Sequence, residues 1–307
     1  MRAFLKLIRI ENLLFIIFIQ FLIRYALFIP FGIETALPTF QFVLLVLATV
    51  FLAAGGYIIN DIQDIVADTI NRPKKVKATQ NITEKMSYNY FIVFNVLAVG
   101  IGFYLANYID KPALVAFFIA ISALLFIYSS FLKYILIVKN LVVAVLAALV
   151  LISLGIFDLM PAITESNQPA MRVIFSVILD YALFALLLTF LREIDKDIED
   201  IDGDQNAGIK TLPIVLGSER TAKIAFIFGA FTVVAVVFYV YNYLYKYNIA
   251  ILYFLLLVIA PLVFFCVKIL SAKKKKEFGF LSTLLKIIMF LGMLSMALLP
   301  FLLGRSS

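Results

Sequence analysis

Nine long apolar runs dominate this chain, and a bilayer is the solvent that accommodates so many of them. A helix crossing the hydrocarbon core needs about 20 mostly apolar residues. Such runs fall at 13–32, 41–60, 88–109, 112–132, 138–157, 173–192, 222–245, 249–270 and 283–303. Of the 307 residues 64% are hydrophobic and only 15% charged, far from the balance of a soluble globular domain. The expected fold class is therefore an all-α integral membrane protein with nine transmembrane helices, in one domain over 1–307. The first run carries Arg24 and lacks a small-residue cleavage pattern, so no cleavable leader is expected.

The connections are short except for two, 61–87 and 193–221. Basic residues gather on alternate connections. They include Arg2, Lys6 and Arg9 before the first run and Lys77 and Lys85 after the second. The eighth run is followed by Lys268 and by Lys273 to Lys276. The opposite connections hold few, such as Lys111, Arg172 and Lys246. By the positive-inside rule the N-terminus is cytoplasmic, the C-terminus outside, and both long connections cytoplasmic. The expected location is the cell's inner (cytoplasmic) membrane. The net charge of +7 is spread over several loops, which argues against nucleic acid as a partner. With no histidine, imidazole catalysis and histidine metal sites are excluded. The single cysteine, Cys266, lies in an apolar run and reads as a packing residue.

Carboxylates next to hydrocarbon are costly, yet both long connections open with them. The first begins NDIQDIVADTINRP, Asn60 to Pro73. Asp61, Asp64 and Asp68 step by three and four, which puts them within about 60° on one helical face. The second reads REIDKDIEDIDGDQNAGIKTLP, Arg192 to Pro213. There Glu193, Asp197, Asp200 and Asp204 repeat the spacing, while Asp195, Glu199 and Asp202 read as a solvated face. Like charges so placed destabilise a helix and call for a cation. Oxygen-only clusters suit Mg²⁺, which shares its shell with substrate phosphates. Arg72, Lys74, Lys133, Lys139 and Lys210 are the candidate cations to complete a diphosphate clamp. Beside nine apolar helices, the natural donor is a prenyl diphosphate, whose tail lies in hydrocarbon and whose head meets the metal. Tyr57, Tyr128 and Phe131 are candidate aromatic faces for an allylic cation.

These stretches resemble the NDxxDxxxDxxNRP and GDxxxGxxTLP motifs of UbiA-type intramembrane prenyltransferases. IYSSFLK followed by KN resembles the family's YSxxLK…GN segment, and RIEN resembles its RxxN opening. The resemblance implies nine helices around a central cavity with both acidic stretches at its cytoplasmic mouth. It implies that Asn60, Asp61, Asp64 and Asp68 form one Mg²⁺–diphosphate half, and Asp197, Asp200 and Asp204 the other, with Glu193 nearby. It places Arg72 and Lys133 on the diphosphate and Asn12 on the cavity wall. The family's NRPxRP is NRPKKV here and its LKR is LKY, so Lys74, Lys75 or Lys139 stands in for the missing arginines. The second stretch is most similar to members that prenylate the free hydroxyl of geranylgeranylglyceryl phosphate to form an ether lipid. An aromatic quinone precursor, 4-hydroxybenzoate or dihydroxynaphthoate, is the alternative acceptor. A cation-coupled transporter is the reading from a different class, and Asp180 within the sixth run is its best support.

Overall fold

In lipid every backbone N–H and C=O must be paired within the chain, so apolar runs of this length become helices. The computed structural model describes residues 2–79 and 81–303. Nine helices long and apolar enough to span a membrane are present among them. They are α1 (Ile10–Phe31), α2 (Thr39–Gln63), α3 (Glu84–Tyr108), α4 (Pro112–Ser130) and α5 (Val138–Ala162), then α6 (Gln168–Glu199), α7 (Ser218–Leu244), α8 (Asn248–Ile269) and α9 (Lys275–Phe301). The expected nine spans are recovered, with two informative extensions. The 32 residues of α6 reach about 48 Å at 1.5 Å per residue, well beyond a hydrocarbon core of about 30 Å. Its acidic C-terminal turns therefore project from the apolar layer. Likewise α9 begins at Lys275, eight residues before the expected run, with Lys275, Lys276 and Glu277 in its first turn.

Neighbours in sequence are mostly neighbours in space: α2 packs on α3 and α4, α5 on α6, and α7 on α8. The long α6 also packs against α7 and α9. The bundle closes where α1 meets α2 and α5 on one side and α9 on the other. Large apolar side chains such as Phe231, Val234, Phe238 and Tyr241 face outward, as lipid contact requires. Cys266 is buried against Gly229, in keeping with a packing role.

One buried ion pair fixes the end of the bundle remote from the acidic stretches. Arg24 lies in a π-helical turn of α1 and Asp158 in a π-helical turn of α5. Their side chains meet at 2.8 Å, and Asp158 is fully buried. Asp158 also accepts the Leu37 N–H at 3.0 Å, and Arg24 donates to the Leu37 carbonyl at 2.7 Å, so the pair pins the α1–α2 turn. Removing one partner of a buried pair leaves a bare charge, at a cost of about 3–5 kcal/mol. Arg24→Met is thus expected to lower the melting temperature in detergent sharply, and adding Asp158→Leu to recover much of the loss. A single variant that melts like the parent would show that the pair contributes nothing.

Candidate functional site

Both acidic stretches break their helices in the same way. The helix of α2 ends at Gln63, and Asp64 takes φ −97°, ψ 9° before a short helix, Ile65–Asn71. The helix of α6 ends at Glu199, and Asp200 takes φ −102°, ψ 12° before Ile201–Asn206. The break costs little hydrogen bonding. Asp64 N–H still reaches the Asn60 carbonyl at 2.9 Å, and Asp200 N–H the Lys196 carbonyl at 2.9 Å. The continuous helical face expected from the spacing is therefore a bent one, and the bend lies at the middle aspartate of each stretch.

The two bent segments pack on each other. Asn71 donates to the Asp200 carbonyl at 2.7 Å and accepts from Gly203 N–H at 3.2 Å. A Cβ at Gly203 would collide with the Asn71 amide and stand 2.5 Å from the Ala67 carbonyl oxygen. Gly203→Ala is expected to push the segments apart and cost roughly 1–3 kcal/mol of stability, with reduced turnover. Parental melting and turnover would show that the close approach is dispensable.

Each stretch then holds cations in a matching pattern. Lys75 bridges the first and third aspartates of one stretch, 2.6 Å from Asp61 and 2.7 Å from Asp68. Lys139 bridges those of the other, 2.7 Å from Asp197 and 3.2 Å from Asp204. The middle aspartates take partners from further away: Asp64 meets Lys133 at 2.7 Å, and Asp200 meets Arg72 at 2.5 Å. The Arg72 pair thus joins the stretches directly. Asn60 donates to Asp64 at 2.6 Å, and Asn140 to Asp197 at 2.9 Å. Burial raises the Asp204 pKa above the ordinary aspartate value, although Lys139 pulls the other way.

Of the residues singled out in the sequence, the six aspartates, Asn60, Arg72, Lys133 and Lys139 all come together here. Glu193 lies close by but pairs along its own helix, with Lys196 at 3.3 Å and Arg192 at 3.5 Å. Asn12 accepts from Lys286 at 3.0 Å, on the wall between α1 and α9. Tyr57 and Tyr128 are partly buried, whereas Phe131 is 66% exposed and does not enclose the site.

Two expected cations are not brought in. Lys74 and Lys210 are exposed, and among the described residues neither forms an ion pair. A fresh helix starts at Pro73, and the rotation of about 100° per residue turns Lys75 inward and Lys74 outward. Asp195 also departs from expectation. It is fully buried rather than solvated, and neither of its oxygens has a partner among the described residues. Exposed Asp202 and half-buried Glu199 do fit the solvated face.

Arg9, which opens the RIEN segment but is absent from the expected site residues, meets Asp61 at 2.9 Å and lies 4.9 Å over the Tyr57 ring. Its backbone is left-handed, φ 51°, as is that of Ile137, φ 68°, beside Lys139. Non-glycine residues held there cost about 1–3 kcal/mol each and cluster at functional sites.

An oxygen-only donor set fits a hard divalent ion. The ammonium groups of Lys75 and Lys139 already occupy positions where one cation serves two carboxylates. No three carboxylates converge on one point among the described residues, so part of any metal's shell would fall to water and substrate. Two pockets lie away from this site. One of about 540 Å³ lies at the remote end beside Glu34 and Asp110, and one of about 400 Å³ is an outer groove between α2 and α3.

Comparison with known proteins adds similarities in sequence and in fold. The family model of the UbiA prenyltransferase family matches residues 21–294. A digeranylgeranylglyceryl phosphate synthase of Thermococcus sibiricus is 33% identical over 266 residues, 85% of this chain and 86% of the relative. The fold matches a solved structure described as digeranylgeranylglyceryl phosphate synthase, with a TM-score of 0.64 and 22% identity, covering 98% of this chain and 97% of that one. It also matches a UbiA homolog from Archaeoglobus fulgidus bound to DMAPP and Mg²⁺, with a TM-score of 0.56 and 20% identity, covering 97% and 99%.

Proposed function

This chain belongs to the UbiA prenyltransferase family, and from that premise we propose the reaction and the roles of its residues. The enzyme transfers a geranylgeranyl group from its diphosphate to the free hydroxyl of geranylgeranylglyceryl phosphate. The bond from the donor's allylic carbon to diphosphate breaks, an ether bond to the acceptor oxygen forms, and the hydroxyl proton leaves with the diphosphate. The whole chain acts as one intramembrane unit, in the cell membrane, with the acidic stretches on the cytoplasmic side.

The observation that carries this reading is the matched pair of carboxylate bridges, Asp61–Lys75–Asp68 and Asp197–Lys139–Asp204. Asp61, Asp64, Asp68, Asp197, Asp200 and Asp204 would hold Mg²⁺. When bound, the ion neutralises charge building on the leaving diphosphate. Lys133, Arg72, Lys75 and Lys139 meet phosphate oxygens, exchanging their carboxylate partners for the substrate's. Arg72 offers a fork of donors to those oxygens, whereas the lysines act as point charges. Tyr57 and Tyr128 line the space inward of the aspartates and keep water from the allylic carbon.

The acceptor is supported by the name borne by relatives such as the T. sibiricus protein and by the wording of the second acidic stretch. The direct test supplies purified protein with labelled geranylgeranyl diphosphate, Mg²⁺ and a panel of acceptors. Label in geranylgeranylglyceryl phosphate is expected. Label only in 4-hydroxybenzoate or dihydroxynaphthoate would overturn the choice of acceptor.

A further inference from the structure

The cations at the acidic end are matched to carboxylates, with one exception inside the bundle. Arg9, Arg72, Lys75, Lys133, Lys139 and Lys196 each pair with an Asp or Glu. Lys286 does not. It lies eleven residues into α9, in a spanning segment, and among the described residues no carboxylate is within ion-pair reach. Its hydrogen-bond acceptor is the Asn12 side-chain carbonyl at 3.0 Å. An ammonium in a membrane helix costs about 2.5–3.5 kcal/mol, and one left without a counter-charge, unlike Arg24, is a candidate ligand contact.

The position of Lys286 says which ligand. At the remote end α1 and α9 are in backbone contact, Ile23–Phe28 against Ser295–Leu298. Toward the acidic end they meet through side chains: Phe15 and Phe18 against Phe290, and Lys286 against Asn12. Asn12 follows Arg9 by three residues, so this contact lies about 5 Å along α1 from the Arg9–Asp61 pair, on the apolar side. A molecule whose tail rests against Phe15, Phe18 and Phe290 would set an anionic headgroup on Lys286, beside the donor's diphosphate.

Resting on the acceptor reading above, we propose that Lys286 binds the phosphate of the lipid acceptor and so selects a glyceryl phosphate over an uncharged alcohol. The phosphate sits on the carbon next to the one bearing the reacting hydroxyl, so holding it also positions that oxygen. Asn12 holds the ammonium in place until the acceptor arrives.

The test measures Lys286→Met and Lys286→Arg against the parent, each checked for parental melting. A charge-assisted hydrogen bond contributes about 1.5–3 kcal/mol, so KM for geranylgeranylglyceryl phosphate should rise about 10–100-fold in Lys286→Met and largely recover in Lys286→Arg. Phosphate-free geranylgeranylglycerol should be a poor acceptor for the parent and barely affected by Lys286→Met. Binding of unreactive geranylgeranyl thiolodiphosphate with Mg²⁺ should be unchanged, which separates the acceptor's phosphate from the donor's. Equal losses on both acceptors, weakened donor binding, or an unchanged KM would each overturn the assignment. A parent enzyme that leaves geranylgeranylglyceryl phosphate untouched would instead overturn the acceptor reading itself.

Discussion

Asp64→Ala is expected to lower diphosphate release from geranylgeranyl diphosphate by about 10²–10³-fold, the cost typical of removing one preorganised electrostatic group. Asp64 holds Lys133 at 2.7 Å and Asn60 at 2.6 Å, and it lies at the bend that turns its stretch toward the other. Because it is partly exposed, its loss leaves no sealed void, and melting should shift little. Asp202→Ala is the matched control. That residue is exposed on the opposite side and should keep turnover within about twofold, as surface substitutions do. Unchanged turnover in Asp64→Ala would remove the acidic stretch from the chemistry and revive a transport role.

Lys139→Met is expected to make the stability of the fold depend on a divalent ion. Lys139 compensates two carboxylates at once, and both Asp197 and Asp204 are buried, at 3% and 7% exposure. Stripping the ammonium leaves those charges bare, at about 3–5 kcal/mol. In chelator the variant should therefore melt well below the parent. Millimolar Mg²⁺ should raise its melting temperature far more than the parent's, because a ligand that binds only the folded state stabilises it. The parent itself should survive chelation with its fold intact and its turnover lost. Equal metal responses in the two proteins would mean that the lysine and the ion do not share a position.

Much of this molecule is legible in its sequence, because lipid leaves a long apolar run little choice but helix. The nine spans and their order follow from hydropathy alone. The acidic stretches declare themselves because carboxylates at that spacing have no packing rationale beside a membrane. Pairing is harder to read. Lys74, Lys75 and Lys139 are all open as stand-ins for the missing arginines, and the structure brings in Lys75 and Lys139 while Lys74 stays exposed. Arg9 stands in the RIEN opening and among the orientation charges, but nothing local to it announces its pairing with Asp61, 52 residues on. Asp195 shows the limit of sorting acids by face, because its side of α6 is covered by neighbouring helices, not by water. The Arg24–Asp158 pair joins residues 134 apart, and nothing local to either announces the other.

The central claim is that two stretches more than a hundred residues apart make one site for a metal-bound prenyl diphosphate. Its most direct measurement is the affinity of purified protein for unreactive geranylgeranyl thiolodiphosphate as Mg²⁺ is titrated. The comparison is between the parent, Asp61→Ala in one stretch and Asp200→Ala in the other. Tight binding that requires Mg²⁺ in the parent, and loses that requirement together with its strength in both variants, is the expected result. Binding indifferent to Mg²⁺, or harmed by a change in only one stretch, would contradict it.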